Sequence, residues 1–235
     1  MIELNNIYKK FGKVEVLKGI NLNIDKGGVF AILGPNGSGK TTLIKSILGM
    51  VIPDKGSIKV DNAEVLSKWL YRNNIDYLSQ IAEFPANLKV RELIEMIKNL
   101  RPKKTYEEEL IDIFGLQLFL NKKLAHLSGG TRQKVNIVLT LMFDSDVIIL
   151  DEPTTGLDPV ALILLKQIIN KKRKEGKTII ITSHIMSFVE ELSDEIVFLL
   201  EGKIYFKGST TKLKEDTGED SLEHAIAHII KSSNV

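Results

Sequence analysis

The stretch Val29-Phe30-Ala31-Ile32-Leu33-Gly34-Pro35-Asn36-Gly37-Ser38-Gly39-Lys40-Thr41 decides the fold. Its first five residues are apolar and suit a short buried strand, and the segment that follows carries Leu43, Ile44, Ile47 and Leu48 on one helical face. Between strand and helix, the order glycine, four residues, glycine, lysine, threonine matches a phosphate-binding loop. The glycines let successive backbone amides curl round a β-phosphate. Lys40 reaches the β- and γ-phosphates, and the Thr41 hydroxyl is placed to ligate Mg²⁺. Strand, glycine loop and helix in this order imply a parallel sheet with crossover helices.

Outward from that loop, residues 2–24 show apolar positions alternating or in short clusters, which reads as antiparallel strands. Residues 58–60 and 75–78 read as further strands, and from about residue 90 to residue 143 the texture is helical. Thr105 with Glu108 resembles a capping box, and Gly115 suits a helix end. Strands alternate with helices again at 147–150, Pro159–Lys174, Thr178–Thr182 and Met186–Leu192, and a hairpin is expected over 196–206 around Glu201-Gly202. Beyond Gly208 a polar run, Ser209-Thr210-Thr211-Lys212, precedes an amphipathic stretch with Leu222, Ala225, Ile226, Ile229 and Ile230, read as a terminal helix on the core.

Two more stretches carry chemistry. Val147-Ile148-Ile149-Leu150-Asp151-Glu152 is an apolar strand that, inside a parallel sheet, delivers its terminal acids beside the phosphate loop. Asp151 suits Mg²⁺ and Glu152 suits a general base, although a carboxylate entering a turn would look the same. In Leu127-Ser128-Gly129-Gly130-Thr131-Arg132-Gln133, paired glycines admit an anion and Ser128 offers a hydroxyl. Val135, Val138, Leu139 and Met142 place a helix start there. This is a second anion site without a nucleotide pocket of its own.

Composition narrows the setting. A chain of 235 residues with 43% hydrophobic and 26% charged residues has a core, and a net charge of +2 gives no nucleic-acid surface. Without cysteine there are no disulfides or thiolate metal sites, and four scattered histidines argue against structural zinc. No apolar run approaches the roughly 18 residues of a membrane span, and the first residues lack a signal peptide's regions. A cytoplasmic protein that reaches a membrane only through a partner is expected.

Phosphate loop, Leu-Ser-Gly-Gly-x-x-Gln signature and Asp-Glu strand, in that order, resemble the nucleotide-binding subunit of an ATP-binding cassette (ABC) transporter. The resemblance runs from about residue 2 to residue 208. It implies a P-loop NTPase, RecA-like α/β fold: a parallel-sheet core with an antiparallel β subdomain (residues 1–80 and 146–208), a helical signature subdomain (81–145) and a tail (209–235). It further implies ATP as substrate, Mg²⁺ as cofactor, and Gly34, Pro35, Asn36, Gly37, Ser38, Gly39, Lys40, Thr41 and Thr42 round the phosphates. Asp151, with Thr41 and Gln80, would hold the metal, and Glu152, His184 and Gln80 would face the attacking water and γ-phosphate. Phe11, where the family more often has tyrosine, resembles the aromatic that stacks on adenine; a core phenylalanine between strands is the alternative. Asp158 resembles the loop facing the opposite subunit and is equally a helix cap before Pro159.

In this family Ser128, Gly129 and Gly130 contact the γ-phosphate held by another subunit, so the resemblance implies a head-to-tail homodimer and an integral membrane permease. The subunit would then lie on the cytoplasmic face of the membrane. Thr131-Arg132-Gln133-Lys134-Val135, residues 190–200 and the tail Ser221-Leu222-Glu223-His224-Ala225-Ile226-Ala227 are similar to the ATPase subunit of exporters that support maturation of copper-containing nitrous oxide reductase, with multidrug-type and sodium-type exporters as the alternatives. The competing class is a soluble ABC-type ATPase acting on DNA or the ribosome. It usually brings a long coiled coil or a second cassette, and neither is present. Lys171-Lys172-Arg173-Lys174 reads as a solvated helix end rather than a nucleic-acid or membrane patch. Phe84-Pro85 with Leu93, Ile94 and Ile97 marks the groove where the resemblance seats a permease helix, and part of that face must be core.

Overall fold

The computed structural model describes residues 1–80, 83–101 and 103–233. The expected start of the helical subdomain at residue 81 and the last two tail residues lie outside them. Two sheets form. β1 (Ile2–Phe11), β2 (Val14–Ile24), β4 (Lys55–Val60) and β5 (Ala63–Glu64) make an antiparallel sheet in the order β2-β1-β4-β5. The second sheet contains β3 (Gly28–Leu33), β6 (Ile75–Leu78), β7 (Val147–Asp151), β8 (Thr178–Thr182), β9 (Glu195–Leu200) and β10 (Lys203–Gly208), in the order β10-β9-β3-β8-β7-β6. All its neighbours are parallel except β9 with β10.

The alternation within β3 shows how this sheet is buried on both faces. Val29, Ala31 and Leu33 belong to the core shared with α4 (Gly129–Leu141), α5 (Pro159–Lys174), α6 (Met186–Leu192) and α8 (Leu222–Ser233). Phe30 and Ile32 point into the core shared with α1 (Lys40–Ile47) and the antiparallel sheet. Such strands must be apolar throughout, as residues 147–150 are, and each buried Ile or Leu contributes roughly 1.5–3 kcal/mol.

The helical texture after residue 90 resolves into α2 (Val90–Leu100), α3 (Glu107–Ile113) and α4, with short 3₁₀ turns between α3 and α4. The expected Thr105–Glu108 capping box does not form. Helix α3 begins at Glu107, whose carboxylate pairs with Lys98, and the residue at its cap is Tyr106. Half of such a box occurs instead at α2, where Glu92 accepts the Lys89 backbone N–H at 2.9 Å. The polar run at 209–212 is also not a plain linker. It starts α7 (Thr210–Thr217), because the Ser209 hydroxyl accepts the Lys212 N–H at 3.1 Å.

The hairpin forms where expected, with φ of 47° at Glu201 and 79° at Gly202, and a Cβ on Gly202 would lie 2.4 Å from the Val16 carbonyl oxygen. At the end of α5 the basic run is paired: Lys171 with Glu109 at 2.9 Å, Lys172 with Asp144 at 2.5 Å, and Arg173 with Asp194. Among the described residues no helix is long and apolar enough to cross a membrane.

Candidate nucleotide site

Parallel strands bring their C-terminal ends to one edge, and four of them load it with polar groups. β3 leads into residues 34–39, β6 points towards Gln80, β7 ends in Asp151 before Glu152, and β8 leads to Ser183 and His184. A cleft of about 440 Å³ opens there. Asn36, Gly37, Gly39, Lys40, Thr41 and Thr42 line one side, Gln80, Asp151, Glu152 and His184 another, and Val14 and Val16 its mouth.

The loop geometry depends on its glycines. Gly34 has φ of 151°, and a Cβ there would stand 2.0 Å from the Leu199 carbonyl oxygen and 2.6 Å from Ser38 Oγ. Gly37 and Gly39 also have positive φ. Lys40 Nζ turns back over the loop and donates to the Gly34 carbonyl at 2.7 Å and the Pro35 carbonyl at 3.1 Å. Burial lowers the Lys40 pKa, and the Glu152 and Asp151 carboxylates oppose that shift. Among the described residues, Ser38 Oγ and Asp151 Oδ2 are buried without a hydrogen-bond partner. A buried hydroxyl and a buried carboxylate oxygen left open beside a lysine are suited to a phosphate and a divalent cation. Among the described residues no group of three His, Cys, Asp or Glu could itself hold a metal.

Thr182, which the sequence alone did not single out, fastens both acids. Its hydroxyl donates to Asp151 Oδ1 at 2.6 Å and accepts the Glu152 backbone N–H at 2.9 Å. The parallel register sets Asp151 beside Thr182, and only the pairing of β7 with β8 could have revealed this. Glu152 has φ of 52°, a left-handed conformation that costs a glutamate about 1 kcal/mol or more and turns its side chain into the cleft. Burial raises its pKa, opposed first by His184 and then by Lys40. His184 Nε2 lies 3.2 Å from Glu152 Oε1, off the hydrogen-bonding direction. Burial, with the Asp151 charge, pushes the neighbouring Tyr77 phenol up to about 12.

The signature lies elsewhere. Ser128 caps α4, its hydroxyl accepting the Thr131 N–H at 3.2 Å, and neither it nor Gly129 nor Gly130 lines the cleft. Ser128 and Gly129 are exposed, whereas Gly130 abuts the loop after Glu152: a Cβ there would lie 2.7 Å from the Gly156 carbonyl oxygen. Gln133 Nε2 donates to the Pro153 carbonyl at 3.2 Å, and Lys134 pairs with Asp158 Oδ2 at 2.7 Å. Asp158 is the cap of α5, accepting the Ala161 N–H at 2.8 Å, and it too stays outside the cleft. Phe11 is not a core residue, because half of its surface is exposed at the tip of the β1–β2 hairpin. In the expected groove, Leu93 and Ile94 are buried core, as part of that face had to be, whereas Phe84 and Ile97 line a cleft of about 280 Å³.

A phosphate loop on a parallel sheet, an acid pair at the end of the next strand but one and an outward signature helix define a P-loop ATPase cassette. The family model for ABC transporters matches residues 17–155, and a shorter AAA-domain model matches residues 123–190. The lantibiotic transport ATP-binding protein SrtF of Streptococcus pyogenes is 35% identical over 95% of this chain and 94% of its own. The L-cystine import ATP-binding protein TcyN of Bacillus subtilis is 36% identical over 97% and 93%. A solved ATP-binding subunit of an ABC transporter superposes with a TM-score of 0.91 at 27% identity, covering 98% of this chain and 99% of that one. A dimeric cassette in a post-hydrolysis state bound to ADP and Pi gives 0.77 at 27% identity, over 89% and 98%. The chain belongs to the ABC transporter family. It is an ATP-binding, ATP-hydrolysing subunit of such a transporter.

Proposed function

We propose that residues 34–42 hold the triphosphate of ATP, with Lys40 leaving its two loop carbonyls for the β- and γ-phosphate oxygens. The observation that carries this is the pair of partnerless buried oxygens, Ser38 Oγ and Asp151 Oδ2, beside Lys40. Thr41, Asp151 and Gln80 would hold Mg²⁺, which supplies charge neutralisation on the phosphates when bound. Glu152, aimed into the cleft by its left-handed backbone, accepts the proton of the attacking water, and His184 faces the γ-phosphate beside it. Phe11 stacks on adenine. Lys40→Ala should abolish ATP retention, whereas Asp151→Asn should abolish only its Mg²⁺-dependent part; equal Mg²⁺ dependence in Asp151→Asn and the natural chain would refute the metal assignment.

The exposed Ser128-Gly129 edge suits a nucleotide held by a second copy, so two cassettes meeting head to tail would complete two sites. For the membrane partner, exposed Met50, Ile52, Leu66, Trp69 and Leu70 offer an apolar surface. They sit on segments knitted together by Tyr71 and Arg72, which donate to the Ile47 and Gly49 carbonyls. A permease segment docks here and in the cleft of about 280 Å³ lined by Phe84 and Ile97, while Leu93 and Ile94 stay in the core. Leu70→Glu should release the permease on co-purification and leave basal ATPase activity intact. The direction we assign is export, as in a relative named for Nod factor export, although TcyN is named for import. Within that class, residues 131–135, 190–200 and 221–227 favour the exporter type that serves copper-enzyme maturation. Stimulation of the permease complex by candidate cargoes tests that assignment.

A further inference from the structure

The hairpin that carries Phe11 extends past the sheet that supports it. Strand β1 pairs with β4 only as far as Tyr8 opposite Lys55, and the β1–β2 register is irregular between Lys9 and Lys10. Residues 10–15 are all exposed, so among the described residues no core packing holds the tip in place. Phe11 stands opposite Val14, on the same face of the ribbon, and Val14 lines the cleft mouth. The angle of this free ribbon therefore decides whether the ring meets a base whose phosphates lie on the loop.

Asp54, just before β4, supplies the missing support. Its N–H donates to the Tyr8 carbonyl at 2.8 Å. Its Oδ2 accepts the Lys10 N–H at 2.8 Å, and its Oδ1 accepts Lys9 Nζ at 3.1 Å. The carboxylate thus continues the ladder beyond the end of β4, satisfying an amide that would otherwise have no strand partner. The Lys10 N–H and Lys9 hold the carboxyl below its usual pKa. Lys9, clamped this way, has its ammonium over the Phe11 ring, 5.3 Å from the centroid, on one face.

We infer that Asp54 is a positioning residue for nucleobase binding: it fixes the Phe11 hairpin so that one ring face is backed by Lys9 and the other is presented to adenine. The inference rests on the stacking role of Phe11 proposed above. Its signature is that Asp54 acts on the base end of the nucleotide only.

The test measures Kd for MgATP and for inorganic tripolyphosphate on the full chain, in Asp54→Ala, Asp54→Asn, Phe11→Ala and the Asp54→Ala/Phe11→Ala double variant. Asp54→Ala should weaken ATP about three- to tenfold, the range of one aromatic stacking contact, and leave tripolyphosphate binding unchanged. Asp54→Asn keeps an acceptor for the Lys10 N–H and should recover part of the loss. The double variant should bind ATP no worse than Phe11→Ala alone, since both changes remove one interaction. If Phe11→Ala leaves ATP affinity unchanged, the stacking reading itself fails. If Phe11→Ala weakens ATP but Asp54→Ala does not, or weakens tripolyphosphate equally, Asp54 does not position the base.

Discussion

Alanine substitution at the two signature glycines separates what the helix start does inside this chain from what it offers outside. Both glycines lie in α4 without positive φ, so alanine meets no backbone penalty at either. At Gly129 a Cβ would meet nothing within 4 Å; at Gly130 it would stand 2.7 Å from the Gly156 carbonyl oxygen. That approach is too close, and the obstructing atom is backbone in a loop whose Pro153 carbonyl and Asp158 carboxylate are also tied to α4. Displacing it is an overpacking change of about 1–3 kcal/mol. Replacing glycine in a helix returns up to about 0.5–1 kcal/mol, less in the first turn. Gly130→Ala should therefore be destabilised by about 1–2 kcal/mol, and Gly129→Ala should be unchanged or slightly stabilised. For a domain of this size these changes lower Tm by about 2–8 °C and raise it by at most a few degrees, respectively. Thermal and urea unfolding of the nucleotide-free chain read the difference. Both variants should lose ATP-driven assembly, Gly129→Ala despite its intact fold. A wild-type midpoint for Gly130→Ala, or an equal loss of stability for Gly129→Ala, would refute this reasoning.

Further expectations concern the acids and their supports. Glu152→Gln should lose about 10²–10⁴-fold in hydrolysis rate yet retain ATP and accumulate as an ATP-bound dimer in light scattering; a monomer at saturating MgATP counts against the head-to-tail arrangement. Because burial raises the Glu152 pKa, the ATPase rate should decline on acidification at a higher pH than an exposed glutamate would give. The same shift has a stability sign: a folded-state pKa above the unfolded value gives stability that is full below the unfolded pKa and lost as pH rises through the folded one. Nucleotide-free Glu152→Gln should thus match the natural chain's Tm in acid and exceed it at neutral pH, and parallel curves would exclude the effect. Thr182→Val removes the hydroxyl that holds Asp151 and the Glu152 N–H, and should cost about 10–100-fold in activity, with Thr182→Ser restoring most of it. Buried Asp76 holds Arg101 at 2.5 Å and accepts both the N–H and hydroxyl of Ser145. Asp76→Ala should lose about 3–5 kcal/mol in urea unfolding, and a loss below about 1 kcal/mol would show that the network is not buried in effect.

Local motifs were legible where one short stretch contains both the chemistry and its backbone requirement. The glycines of residues 34–39 state their own conformation, and the apolar run at 147–150 states its burial on two faces. The Glu201-Gly202 turn was readable for the same reason. Signals that depend on a choice between neighbours were not. Thr105 and Glu108 have the spacing of a capping box, but Glu107 finds Lys98 across the helix pair and the helix starts at that contact. The polar run at 209–212 hid a helix start because Ser209 serves a cap and a loop equally well. Leu93 and Ile94 had the periodicity of a helix face, which does not distinguish a face buried in the core from one kept for a partner.

By itself the sequence determined that a phosphate loop, an acid-ended strand and a second glycine-led helix occur in one chain, because each is written in contiguous residues. Only the tertiary structure decided how they relate. The parallel register puts Thr182 under Asp151 and Glu152, and the crossovers bring Lys40, Gln80 and His184 to the same edge. The signature is left facing away from its own cleft, with Gly130 pressed on the Gly156 loop and Gly129 open. Asp54 meets the Phe11 hairpin from 44 residues beyond Lys10. Such relations depend on strand pairing between distant segments, and no local pattern encodes which segments will pair.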